Sequence, residues 1–181
     1  MKQIVVVGGD KREVTVARGL LAAGYAVAAY ALPDGALPPE VTRLLDDAGL
    51  RQALARADAA ILPMPPLGED LLLYSMKEQD VYLDSNTFVD APAGMPLLTG
   101  IVTPCLTALA PQCVAIGLLE NEEIALPLAE ATAEGAIAEA IRLSDGILYG
   151  EQALVIGYGR IGKALAWRLD ALGMEVIVLN R

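Results

Sequence analysis

The sequence predicts an α/β protein: an open parallel sheet of the flavodoxin or Rossmann kind first, then the opening βαβ unit of a second Rossmann-type domain. Three observations predict it. Short β-branched runs alternate with longer Ala/Leu-rich stretches along the 181 residues, the pattern of parallel strands joined by helices. Two glycine turns, Gly8-Gly9 and Gly157-Tyr-Gly159, each stand between a strand-like run and a helix-like one. Apolar residues make up 55% of the chain, enough to cover a sheet on both faces.

In chain order, residues 4–7 (Ile-Val-Val-Val) read as a first strand and 12–23 as a helix ended by Gly24. Residues 26–31 form a second strand. After the Pro33-Asp-Gly and Pro38-Pro39 loop, a short helix is expected from Pro39 or Glu40 to Asp47, and another over 50–56. Residues 59–62 form a third strand, broken by Pro63, Pro65 and Pro66. Two short strands are expected at 71–74 and 81–83, joined by the polar 76–80 connection. Strand, helix and strand follow at 97–102, 104–109 and 114–118. Residues 121–126 are read as a separate turn or helix before Pro127, and 132–148 as one long helix with Ile137, Ala140, Ile141 and Ser144 on one face. Strand 153–156, helix 160–172 and strand 175–179 complete the pattern. A domain boundary is expected near Tyr149-Gly150-Glu151.

Bulk properties exclude several classes of function. The formal net charge is −10, a field that repels nucleic-acid backbones and anionic lipid. No apolar run approaches a membrane span, and the N-terminus leads straight into strand rather than a secretory leader, so a cytoplasmic location is expected. The chain has no histidine, which removes, within these residues, a His general base, a Ser-His-Asp triad and His-rich zinc sites. No metal site is expected. Cys105 and Cys113 are read as buried free thiols of a reducing compartment.

The run Val155-Ile-Gly157-Tyr-Gly159-Arg160-Ile161-Gly162 is Gly-x-Gly-x-x-Gly after an apolar strand and at the start of a helix. In that setting the first glycine makes the turn, the second lets the backbone approach a pyrophosphate, and the third packs helix on strand. The helix N-terminus offers N–H groups and its positive dipole end to the phosphates. A packing turn with no ligand is the alternative. The second strand ends in Asn180-Arg181, without the carboxylate that binds the ribose 2′-hydroxyl of NAD. That points to NADP. Residues 1–120 are thus expected to form a substrate-side domain, 121–150 linking helices, and 151–181 an incomplete NAD(P)-binding unit.

The turn Gly8-Gly9-Asp10-Lys11-Arg12 admits two readings. It is a tight strand-to-helix turn with Asp10 as N-cap, or a ligand site at the carboxyl end of a strand where Arg12 pairs with a substrate carboxylate. The loop Pro63 to Asp70 could line the same crevice. Glu120, Glu122 and Glu123 are read as solvated first-turn acids. Thr132 and Glu134 open the expected long helix, where Thr132 either caps it or contacts substrate.

Taken in order, Ile4-Val-Val-Val-Gly8-Gly9-Asp10-Lys-Arg12, Ala60-Ile-Leu-Pro63, Gly68-Glu69, Leu98-Thr-Gly100-Ile101, Glu123-Ile-Ala125, Thr132-Ala-Glu134-Gly135-Ala-Ile and the Gly157–Gly162 run resemble the dipicolinate synthase A-subunit family. The chain departs from it at Leu128-Ala-Glu-Ala131, where the family carries an Asn-Ser-Ile-Pro stretch. The resemblance implies a formate/glycerate-dehydrogenase-like architecture and an NADP-dependent oxidoreductase. Its substrate would be a dihydrodipicolinate-type cyclic dicarboxylate, converted to dipicolinate in sporulation by hydride transfer to the nicotinamide. It further implies a flavoprotein-like B-subunit, a homo-oligomer, and over a hundred further residues, so that this length alone is expected to be inactive. A 2-hydroxyacid dehydrogenase-like NAD(P) oxidoreductase and a non-catalytic interaction or dimerisation module are the alternatives. No catalytic residue is named.

Overall fold

The structure, a computed structural model, describes residues 1–33, 35 and 37–180. The chain divides into two compact units, Met1–Leu118 and Leu119–Arg181.

The first unit is built on a parallel sheet. Its strands are β1 (Gln3–Val7), β2 (Ala26–Tyr30), β3 (Thr42–Leu44), β4 (Ala59–Ile61), β5 (Pro96–Thr99) and β6 (Val114–Gly117). Among the described residues the order is β3-β2-β1-β4-β5-β6, every neighbour parallel. Helices α1 (Lys11–Ala22), α2 (Asp47–Leu54) and α3 (Pro104–Leu109) connect the strands. Strand β1 shows why both faces must be covered. Val5 and Val7 enter one core with Leu50, Leu54, Phe88 and Leu106, while Val6 enters another with Val14, Ala17 and Val27. The period-two alternation therefore feeds two cores, which is how a sheet with helices on both faces reads in sequence.

Two expectations fail in this unit. The helix expected up to Asp47 is replaced by β3, which pairs Ala28 with Thr42 and Tyr30 with Leu44. The Asp46 carboxylate accepts the Gly49 N–H at 2.7 Å, so the helix that follows starts at Asp47. The strands expected at 71–74 and 81–83 reduce to isolated bridges, Leu67 with Leu73 and Leu72 with Tyr82. Leu71 has φ +65°, which breaks an extended run at its start.

The second unit contains α4 (Glu122–Leu143), β7 (Gln152–Ile156), α5 (Arg160–Ala171) and β8 (Glu175–Leu179), with β7 and β8 parallel. Val155, Ala166 and Leu169 form its buried core, with Ile137 of α4 packed against them. The segment expected to link the domains thus contributes to this core. It is also one helix rather than two, running through Pro127. That proline forgoes only the bond to the carbonyl of Glu123, an exposed residue that water can serve. The helix ends at Leu143, short of the expected 148.

Candidate functional site

The two glycine turns differ in what their amides do. In the first, Gly8 N–H donates to the Tyr30 carbonyl and Gly9 N–H to the Tyr74 carbonyl, both at 2.8 Å. Asp10 N–H donates to Glu13 Oε2 at 2.9 Å, and Arg12 N–H to Asp10 Oδ1 at 2.8 Å. Asp10 and Glu13 form a capping box that closes the start of α1. Gly9 is required here: its φ is +109°, and a Cβ would stand 2.4 Å from Glu13 Oε2. These amides are spent within the protein, so this turn offers no phosphate cradle.

The Arg12 guanidinium is engaged too. Its Nε donates to both Asp10 oxygens at 3.1 Å, and Nη2 stands 3.0 Å from Oδ2. Arg12 holds the Asp10 carboxyl below the usual carboxylate range. The Tyr74 hydroxyl donates to Asp10 Oδ2 at 3.3 Å, an addition that nothing in the local sequence signals. A carboxylate ligand at Arg12 would have to displace Asp10. A cavity of about 220 Å³ opens beside Tyr74, Ser75, Gln79 and Asp80. Its lining carries an acid and no Lys or Arg, so it does not suit a dicarboxylate. Pro65, Leu67 and Gly68 of the Pro63–Asp70 loop line this cavity with Tyr74; beyond the loop, Gly9 bridges to Ser75, and Ser75 Oγ donates to the Ala31 carbonyl at 2.7 Å.

The second turn is open. Gly157 has φ +97°, and its N–H donates to the Leu179 carbonyl at 2.8 Å, tying the turn to the end of β8. Gly159 is the N-cap of α5, and no side chain caps that helix. Among the described residues, the amides of Tyr158, Gly159 and Arg160 have no protein acceptor. A Cβ at Gly159 would meet nothing within 4 Å, whereas one at Gly162 would stand 2.1 Å from the Gly157 carbonyl oxygen. So Gly162 is explained by close packing of helix on strand, and Gly159 by nothing in this chain. Space left beside uncapped amides is what a pyrophosphate needs.

Around this turn, Tyr158 and Ile161 are exposed, and Lys163 Nζ lies 5.7 Å from the Tyr158 ring centroid. The Arg160 guanidinium is held by Glu122, which the sequence presents only as a solvated acid. Asn180 follows β8, and Arg181 lies outside the described residues. Thr132 does not open a helix: it is internal to α4, its Oγ1 donating to the Leu128 carbonyl at 2.8 Å. Glu134 stands 3.7 Å from Arg168. Cys105 and Cys113 are free thiols but half-buried, and burial pushes the Cys113 thiol up. No group of three or more metal-ligating side chains occurs among the described residues, and no helix there is long and apolar enough to cross a membrane.

Residues 3–118 match the family model of the dipicolinate synthase A-subunit N-terminal domain. The chain belongs to the dipicolinate synthase A-subunit family. Residues 126–181 match a second model, the NAD binding domain of D-isomer specific 2-hydroxyacid dehydrogenases. Among curated proteins, the dipicolinate synthase A-subunit of Bacillus subtilis (strain 168) is 29% identical over 181 residues, covering 97% of this chain and 60% of that protein. The crystal structure of the dipicolinate synthase A-subunit from Bacillus halodurans is similar with a TM-score of 0.80 at 24% identity, covering 98% of this chain and 61% of that one. The corresponding crystal structure from B. subtilis gives 0.75 at 25%, covering 99% and 61%. Apo D-lactate dehydrogenase from Escherichia coli shares the fold, with a TM-score of 0.55 at 15% identity over 97% of this chain and 54% of that one. The chain spans about 60% of the length of the dipicolinate synthase relatives it matches.

Proposed function

We propose that this chain works as part of an NADP-dependent oxidoreductase that converts a dihydrodipicolinate-type precursor to dipicolinate. Membership of the dipicolinate synthase family supports the substrate class, and the match of residues 126–181 supports a nicotinamide dinucleotide. The observation that carries the reading is the contrast between the turns. Amides of Gly8, Gly9, Asp10 and Arg12 are consumed, whereas the Gly157–Gly162 turn keeps uncapped amides at Tyr158, Gly159 and Arg160 and vacant space at Gly159.

Gly157, Gly159 and the first turn of α5 would hold the pyrophosphate, with Gly162 setting the distance of the helix from β7. Asn180 stands where a carboxylate would repel a 2′-phosphate, which favours NADP over NAD. When bound, the oxidised nicotinamide supplies the two-electron acceptor that aromatisation of a dihydro ring requires. The chain's own residues orient and bind. Arg12 is the carboxylate anchor, exchanging Asp10 for the substrate in a bidentate pair. The same reading places the enzyme in the cytoplasm of sporulating cells, as a homo-oligomer working beside a flavoprotein-like B-subunit.

A 2-hydroxyacid dehydrogenase-like reductase is the second reading, favoured by the match of residues 126–181 alone. Isothermal titration of the chain with NADPH, NADH and dipicolinate separates these. NADPH bound more tightly than NADH supports the proposal; NADH preferred, with dipicolinate ignored, supports the second. Silence towards both nucleotides rejects both.

A further inference from the structure

We propose that Glu122 is a positioning residue for the dinucleotide's phosphates, acting through Arg160; the proposal rests on the dinucleotide reading above. Arg160 opens α5 directly after Gly159. Helical side chains lean back toward the helix N-terminus, so the Arg160 side chain leaves α5 on the side of the end where the uncapped amides lie. Its guanidinium is not left to wander. Nε donates to Glu122 Oε1 at 3.0 Å and Oε2 at 3.2 Å, Nη2 donates to Oε1, and Nη1 donates to the Leu119 carbonyl at 3.2 Å.

A guanidinium carries five N–H groups in a rigid plane. These contacts use three, leaving one N–H on each terminal nitrogen without a protein partner among the described residues. The Arg160 side chain is 42% exposed, so a ligand at the turn can reach it. Glu122 therefore takes the Nε edge and leaves donors on the Nη side for a phosphate oxygen, in the planar arrangement that suits Arg–phosphate pairs. Rotamer freedom that a loose arginine would lose on binding is already lost here. Glu122 has no such need of its own: the first turn of α4 already favours an acid. Its partner lies 38 residues away.

The test is a double-mutant cycle on the full chain, titrating NADPH by fluorescence, with far-UV circular dichroism on every variant. Glu122→Ala is expected to weaken NADPH binding about three- to ten-fold beside an intact Arg160, and to have no further effect on an Arg160→Ala background. Glu122→Gln keeps one acceptor oxygen and is expected within about two-fold of wild type. The glutamine variant removes no bulk, and the Arg160→Ala background together with circular dichroism separates lost positioning from a disturbed start of α4. Equal weakening on both backgrounds, unchanged binding in Glu122→Ala, or a glutamine variant as weak as alanine overturns the proposal while leaving the dinucleotide reading standing. A wild-type chain that ignores NADPH removes both.

Discussion

A Cβ placed on Gly162 would lie 2.1 Å from the carbonyl oxygen of Gly157 and 3.0 Å from its carbonyl carbon. The turn between β7 and α5 is therefore closed on its inner side by backbone against backbone, with no flexible side chain to yield. Gly162→Ala is expected to destabilise the second unit by about 1–3 kcal/mol, the cost of forcing a methyl into a packed contact. Urea titration of the wild type and the variant measures it, and a variant of equal stability would show that α5 can slide.

Asp10 and Arg12 give a pH dependence with a definite sign. Arg12 depresses the Asp10 carboxyl, so the folded state binds that proton less readily than the unfolded chain. The pair's contribution is present above the ordinary carboxylate range and is lost as pH falls through the lowered folded value. Asp10→Asn keeps a capable N-cap and removes the charge. It is expected to cost about 0.5–1 kcal/mol at pH 7, modest because the Arg12 side chain is 51% exposed. The gap to wild type should narrow below about pH 4. Equal gaps at pH 7 and pH 3 would contradict the assignment.

Tyr30 gives the opposite sign. Burial and the hydrogen bond that its hydroxyl donates to Asp47 raise the phenol above its ordinary value. Its stabilisation holds below about pH 10 and drains as pH rises beyond it. Absorbance at 295 nm should show one of the six tyrosines ionising late, a fraction that Tyr30→Phe abolishes. Persistence of the late fraction in that variant would assign it elsewhere.

Thr99 is fully buried at the end of β5, and its Oγ1 donates to the Pro63 carbonyl at 2.8 Å, joining the ends of β5 and β4. Thr99→Val keeps the volume and strands that carbonyl. A loss of about 1–2 kcal/mol is expected from chemical denaturation. No loss would mean that water reaches Pro63.

What was legible in the sequence was local. The Gly157–Gly162 turn spans six positions and the Asp10 cap reaches only to Glu13, so short-range spacing carries both. What was not legible depends on distance or on tertiary override. Strand β3 is three residues long and exists because β2 offers it an edge. Pro127 reads as a helix boundary, yet packing of Ala125, Ala129 and Ala133 carries α4 through it. Tyr74 meets Asp10 across 64 residues and Glu122 meets Arg160 across 38, separations with no periodic signature. Arg12 was legible as a carboxylate binder, but the nearest carboxylate is its own neighbour's.

Gly159 provides the most direct test. Its φ is −77° and a Cβ would touch nothing within 4 Å, so Gly159→Ala should cost no more than about 1 kcal/mol, the preference for glycine over alanine at an N-cap. A methyl there would occupy the space assigned to the pyrophosphate. The measurement is NADPH affinity of wild type and Gly159→Ala, each checked for a cooperative melting transition well above the titration temperature. Binding by the wild type and a loss of at least about ten-fold in the folded variant are expected. Equal affinity in both, or no binding by the wild type, would contradict the pyrophosphate assignment.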